Sequence, residues 1–144
     1  MIEVSFHFNA SDRLGYACRL LRKAVGRGAQ VIVTAPDDVL ARLDVLLWTF
    51  SDVDFIPHAL HDAAPALREA SAVLLTPRLD DLPHRQVLVN LGPQVPAGFE
   101  QFERVIEVVS QEEVDRLQAR VRWKAYAAAG HTLVRHDLAE KEVH

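Results

Sequence analysis

The sequence predicts an α/β protein of three layers, in which a mostly parallel sheet of about five strands carries helices on its faces. The first observation is a series of short apolar runs, which are typical of strands buried on both faces. The second is that helical patterns stand between the first of these runs. A strand–helix–strand order favours parallel pairing through right-handed connections, so we predict a mostly parallel sheet.

The chain begins with a strand that is followed by a helix. Residues 2–8 alternate apolar and polar side chains, which is the two-residue period of a half-buried strand, so His7 is expected to point outward. Ser11 or Asp12 can cap the helix, because either side chain accepts a hydrogen bond from the first helical turn. The Gly-Arg-Gly segment at residues 26–28 favours the end of that helix.

A second helix and four further strands follow. Pro36 and the two aspartates after it favour the start of a helix that covers residues 39 to about 48. The apolar runs place the further strands at residues 29–34, 72–76, 86–91 and 104–109.

Residues 110–130 are predicted to form one long helix with two different faces. Ser110 and Glu113 have the spacing of a capping box at its start, and Gly130 favours its end. A helix turns about 100° per residue, which gathers an apolar stripe that we expect against the core. This stripe consists of Val114, Leu117, Val121, Ala125 and Ala128. A second set lies roughly 120° away and is expected to face solvent. This second set, the basic helix face, consists of Arg116, Arg120, Trp123 and Lys124.

Two interpretations of the basic helix face are open on the residues alone. As a recognition patch, its cations and indole suit an acidic peptide with an apolar anchor or a terminal carboxylate, through charge-assisted hydrogen bonds and cation–π contact. As ordinary surface, the cations are solvated and Trp123 lies across the edge of the core. The spacing does not decide between them.

The connection after the second helix is unusually rich in aromatic residues. Trp48, Phe50 and Phe55 fall within a short stretch that enters a loop. They are either core side chains folded back on the domain or exposed anchors for a partner.

Composition limits the class of protein. The chain has 144 residues, 49% of them hydrophobic, which is enough for one domain. We place the domain at residues 1–137 and a tail at residues 138–144.

The single cysteine, Cys18, lies in a helical pattern and favours a reducing compartment. No apolar run has the length of a membrane span or the form of a signal peptide, so a cytoplasmic protein is expected. A net charge of -4 argues against a broad nucleic-acid surface.

The motifs of a nucleotide or metal site are not matched. The turn after the first strand, residues 9–13, contains no glycine with which backbone N–H groups could approach phosphate. His58, His61 and Asp62 have a spacing compatible with metal ligands, but no further His or Cys pair accompanies them. We therefore expect no cofactor and no metal. A small-molecule or nucleotide-binding enzyme is kept as the alternative function.

Several short motifs occur together in a fairly specific order. They are Phe-His-Phe at residues 6–8, Trp48, Phe-Ile-Pro-His-Ala-Leu at residues 55–60, Arg-Val-Arg-Trp-Lys-Ala-Tyr at residues 120–126, and Gly130. With this set the chain resembles, over nearly its whole length, the chi subunit of bacterial DNA polymerase III holoenzyme. That family is a Rossmann-like α/β domain without a nucleotide and a non-catalytic part of the clamp-loader assembly in DNA replication.

The resemblance implies two binding sites. The basic helix face matches the positions with which the family holds the acidic C-terminal tail of single-stranded-DNA-binding protein, whose last residue is phenylalanine. Trp48 and Phe55 match the region that the family uses towards the psi subunit of the clamp loader. Family members also associate with a helicase-like repair protein. Contact with DNA is expected only indirectly, through these partners.

Overall fold

The computed structural model describes residues 1–49 and 55–139, and these form a seven-stranded, all-parallel sheet with helices on both faces. The strands are β1 (Glu3–Ala10), β2 (Val31–Thr34), β3 (His58–Leu60), β4 (Val73–Thr76), β5 (Val87–Asn90), β6 (Arg104–Ser110) and β7 (Thr132–Asp137). The helices are α1 (Arg13–Gly26), α2 (Asp37–Thr49), α3 (Pro65–Ala70) and α4 (Glu113–Ala128). The strand order is β3-β4-β2-β5-β6-β1-β7. The predicted α/β class is confirmed.

The sheet has two more strands than predicted, and both lie at its edges. The five predicted strands are all present, in the middle of the sheet. At one edge β3 has three residues, which is too short for a hydrophobic pattern. At the other edge β7 carries no fully buried residue, so it lacks the apolar run by which the central strands are recognised.

The two faces of the sheet carry different helices. Buried residues of α1 and α2 pack on one face, and those of α4 pack on the other. The connections through α1 and α2 cross towards the β3 edge, whereas the connection through α4 crosses towards the β7 edge. Right-handed crossovers in opposite directions place their helices on opposite faces, so α4 shares its face with residues of β1 and β7.

The start and end of α1 follow the prediction. The carboxylate of Asp12 accepts a hydrogen bond of 3.1 Å from the N–H of Gly15 and caps the helix. Gly28, with a φ of 83°, takes the left-handed conformation beyond the end of the helix. Cys18 is buried in the middle of α1.

The start of α4 differs from the predicted capping box. The N–H of Ser110 donates to the carboxylate of Asp115 at 2.8 Å, so the acid that satisfies this donor lies two positions beyond Glu113. The hydroxyl oxygen of Ser110 accepts a hydrogen bond of 3.3 Å from the N–H of Glu112.

His7 is buried, although the alternation in its strand predicted an outward position. It is 8% exposed, because β1 lies between β6 and β7 and both faces of the strand are covered. Tyr16 of α1 covers the face on which His7 lies, and its hydroxyl forms a hydrogen bond with Nδ1 of His7.

The end of the described chain belongs partly to the core. Leu138, the first residue of the predicted tail, is 4% exposed, and residues 140–144 lie outside the described part. Within residues 1–49 and 55–139, no helix combines the length and apolar character that crossing a bilayer requires.

Candidate peptide-binding site

A surface hollow lies between α4 and the sheet, next to the β7 edge. Its volume is about 340 Å³. The side chains at its base are apolar and buried or half-buried, and those at its rim are cationic and exposed. The lining residues of this α4 hollow are Phe6, Phe8, Val109, Arg116, Ala119, Arg120, Trp123 and Arg135.

The base of the hollow follows from the pleat of β1 and the small size of one helical residue. Phe6 and Phe8 are two residues apart on a strand, so both point to the α4 face. Ala119 faces them from α4 and is too small to fill the space between helix and sheet. Trp123 closes one side, with its ring edge-on to Phe6 at 5.1 Å between centroids. Trp123 is therefore half-buried, and it both packs on the core and lines the hollow.

Three arginines surround the hollow, and they come from two different elements. Arg116 and Arg120 lie on α4, and Arg135 lies on β7; all three are exposed. Among the described residues none of the three has an acidic partner within 4.0 Å. Lys124 is also exposed, but it lies further round α4 and does not line the hollow. The structure thus brings Arg116, Arg120 and Trp123 of the basic helix face together and leaves Lys124 beside them.

A buried ion pair sets the rotation of α4 about its own axis. Arg122 and Glu107 are 2% and 0% exposed, and Nε of Arg122 donates to Oε1 of Glu107 at 3.0 Å. Oε2 of Glu107 accepts hydrogen bonds from the Tyr126 hydroxyl at 2.7 Å and from Nδ2 of Asn90 at 2.9 Å. Burial raises the pKa of Glu107, whereas the charge of Arg122 and these hydrogen bonds act in the opposite direction. A buried carboxylate with these donors tolerates only one orientation of the helix that supplies two of them.

The apolar stripe that was predicted to face the core faces solvent instead. Val114, Leu117 and Val121 are 66%, 50% and 69% exposed, and Ala125 and Ala128 are exposed as well. The helix is rotated by roughly 130° from the predicted orientation. The face that packs on the sheet contains Ala119, Arg122 and Tyr126. The prediction was wrong because hydrophobic periodicity assigns every arginine to the surface, whereas an arginine with a buried acidic partner can lie inside.

Trp48 and Phe55 form an exposed aromatic pair at the end of α2. They are 59% and 67% exposed, and their ring centroids are 5.6 Å apart. Val45, one turn earlier on α2, is 61% exposed and widens the apolar patch. The ring of His58 lies 4.8 Å from that of Trp48, and its Nε2 is held at 3.1 Å by the carboxylate of Asp44. Of the two interpretations of this segment, the structure agrees with exposed side chains; Phe50 lies outside the described residues.

The N-terminus of α1, where α/β proteins commonly bind the phosphate of a nucleotide, carries a carboxylate in this protein. Asp12 occupies the N-terminus of α1, where it already accepts a backbone hydrogen bond. A phosphate at this point would be repelled by the negative charge of Asp12, so phosphate binding is disfavoured there.

The histidines that were considered as metal ligands contact separate aspartates. Nε2 of His58 contacts Asp44, and Nε2 of His61 lies 3.7 Å from a carboxylate oxygen of Asp37. In the part of the chain that the structure describes, no three His, Cys, Asp or Glu side chains converge as metal ligands would.

Five residues that line the hollow were not predicted as site residues, namely Phe6, Phe8, Val109, Ala119 and Arg135. Phe8 could have been found, because it follows Phe6 by two positions in a predicted strand and therefore shares its face. Arg135 could not be placed, because β7 was not predicted. The only sequence signal was its two-residue spacing from the apolar Leu133.

The fold and the hollow together define an α/β protein that presents an apolar hollow with an arginine rim. This chemistry suits an anionic peptide that carries an apolar side chain.

Comparison with known proteins identifies the family. The model of the family described as DNA polymerase III chi subunit, HolC, matches residues 1–134. DNA polymerase III subunit chi of Pseudomonas aeruginosa is 37% identical over 131 residues, which are 89% of this chain and 88% of the relative. The subunits of the same name from Escherichia coli and Haemophilus influenzae are 28% and 25% identical, over 81% of this chain and 79% and 81% of their own lengths. The chain therefore belongs to the DNA polymerase III chi subunit family.

Proposed function

We propose that this protein is a non-catalytic, cytoplasmic adaptor subunit of the clamp-loader assembly in DNA replication. In this role the α4 hollow binds the acidic C-terminal tail of single-stranded-DNA-binding protein. The observation that carries the proposal is an apolar hollow surrounded by three exposed arginines without acidic partners among the described residues. Family membership supports it, and the relatives are named as subunits of DNA polymerase III.

The hollow has the size and chemistry for one aromatic side chain. An apolar cavity of about 150 Å³ is enough to hold benzene, so a volume of about 340 Å³ accommodates a phenylalanine ring with room to spare. Phe6, Val109 and Ala119 form a buried apolar base, and Trp123 forms a side wall. Burying one such ring contributes roughly 1.5–3 kcal/mol, which makes the last residue of the tail the main apolar contact.

The arginine rim favours an acidic partner at the α4 hollow. The chain as a whole carries a net charge of -4, so an acidic tail is repelled by the protein in general and attracted by the arginine rim. Because Arg116, Arg120 and Arg135 are exposed, salt screens their attraction. We expect an affinity that falls as salt is added. The same net charge disfavours direct binding of DNA, which is reached through the partner.

Replacing Arg120 by alanine tests the assignment. Loss of a charge-assisted contact at the rim should weaken tail binding by about 1–3 kcal/mol. Lys124→Ala should cost less, about 0.2–1 kcal/mol, because Lys124 lies outside the hollow. Calorimetric titration with an acidic peptide that ends in phenylalanine measures both, and circular dichroism checks that the variants are folded. An unchanged affinity in the Arg120 variant would reject the assignment.

The exposed aromatic pair is proposed as the second contact, towards the psi subunit of the clamp loader. Trp48 and Phe55, together with Val45, form an apolar patch at the end of α2. Exposed aromatic side chains are favoured anchors in protein interfaces. The patch lies on the α2 face of the sheet, opposite the face that carries the α4 hollow, so both partners can bind at once.

A further inference from the structure

We infer that Arg135 determines the specificity of the α4 hollow, by selecting ligands that end in a free carboxylate. The inference rests on the proposed function, because it assigns a role within the same site. The sequence and the family resemblance placed the cations of this site on α4 alone. Arg135 lies on β7, at the edge of the sheet.

The register of the sheet places Arg135 at the hollow. Arg135 pairs with Phe6, and Leu133, two residues earlier on β7, pairs with Val4. Leu133 packs against the core of the α4 face, so the two-residue alternation directs Arg135 to the same face. Arg135 therefore reaches the rim from the sheet, whereas Arg116 and Arg120 reach it from the helix.

The guanidinium group of Arg135 is held in place by a ring contact, and no acidic side chain among the described residues forms an ion pair with it. Its Cζ atom lies 5.1 Å from the centroid of the Phe8 ring, a cation–π contact that restricts the side chain. Among the described residues it has no acidic partner, so its N–H donors are available to a ligand. An arginine that is stacked on a ring presents its planar fork in one orientation, which suits a carboxylate.

This arrangement discriminates between the possible ends of a peptide. A ligand whose last side chain enters the hollow leaves its terminal carboxylate at the rim. Arginines on two sides of the hollow can then bond to different oxygens of that carboxylate. An amidated end, or a chain that continues, offers one neutral carbonyl oxygen in the same place. If Arg135 acted only by attracting acidic side chains over a distance, it would not distinguish these ends.

The test compares one acidic peptide ending in phenylalanine as free acid and as amide, titrated into the full chain. The parent should prefer the acid. Arg135→Gln, which keeps a planar end without the charge, should weaken binding of the acid about five- to twentyfold and that of the amide less than about twofold. Arg135→Lys, which keeps the charge without the fork, should lose at least half of the acid preference on a logarithmic scale.

Arg19→Ala is the matched control. Arg19 also lies over a ring, with Cζ 5.8 Å from the centroid of Tyr16, but it is on α1 and the opposite face of the sheet. Its removal should leave both affinities unchanged. Equal losses for acid and amide in Arg135→Gln, or no loss, would overturn the inference. If Arg120→Ala still weakens binding in that case, the proposed function stands; if the parent binds neither peptide, the proposed function itself fails.

Discussion

Replacing Arg122 by methionine tests whether the buried ion pair holds α4 on the sheet. Methionine retains an unbranched side chain of similar reach but removes the guanidinium group from Glu107, which is fully buried. The carboxylate keeps its hydrogen bonds from Asn90 and Tyr126 and loses its charged partner. Removing one member of a buried pair costs about 3–5 kcal/mol. We expect a loss of about 3 kcal/mol in the free energy of unfolding, because two of the donors remain.

A neighbouring surface pair provides the control. Arg104 and Glu3 lie 3.2 Å apart on adjacent strands, but their side chains are 45% and 49% exposed. Arg104→Met should therefore cost about 0–1 kcal/mol. Urea unfolding, followed by far-ultraviolet circular dichroism, measures both variants. If Arg122→Met were no more destabilising than Arg104→Met, the ion pair would not be what holds the helix.

The same variant should show a defined dependence on pH. Burial raises the pKa of Glu107, and Arg122→Met removes the charge that opposes this rise. A carboxyl group whose pKa is higher in the folded protein than in the unfolded chain destabilises the fold as it ionises. The stability deficit of the variant should thus be smaller at about pH 5 than at about pH 8. A deficit that grows towards acid pH would contradict this reasoning.

Three further outcomes are expected. Trp48→Ala combined with Phe55→Ala should abolish binding of the psi subunit in a pull-down and leave the tail affinity, measured by calorimetry, unchanged. If the double variant is unfolded, the two side chains belong to the core instead. Val121→Lys should change the free energy of unfolding by no more than about 0.5 kcal/mol in urea titration, because Val121 is 69% exposed, and a loss of several times that would restore the predicted inward stripe. Burial raises the pKa of Cys18 to about 11, so a thiol reagent should modify the folded protein slowly at neutral pH and the denatured protein fast; equally fast modification would show that the thiol is accessible.

The sequence predicted the centre of the sheet well and its edges poorly. Strands buried on both faces, such as β2, consist mainly of apolar residues and stand out in the sequence. Edge strands pair on one side only, so β7 contains half-buried and exposed side chains but no fully buried one, and its sequence resembles a loop. Arg135 was missed for this reason, although it lines the same hollow as the predicted Arg120.

The rotation of α4 could not be read from its own residues. Its most apolar stripe, which includes Val114 and Val121, points to solvent. The reason is that Arg122 points inward, where it pairs with Glu107 of β6. This partner lies outside the helix, and the periodicity of residues within one helix contains no information about it. Arg116, Arg120 and Trp123 still line one hollow although the helix is rotated, and their role in binding stays a prediction.

Whether the α4 hollow holds the last residue of an acidic tail can be measured by calorimetric titration of the parent protein with an acidic peptide ending in phenylalanine and with the same peptide lacking that residue. We expect only the complete peptide to bind well, with an affinity that falls as salt is added, because the apolar base of the hollow and its arginine rim both contribute. Equal binding of the two peptides, or binding of neither, would contradict this expectation.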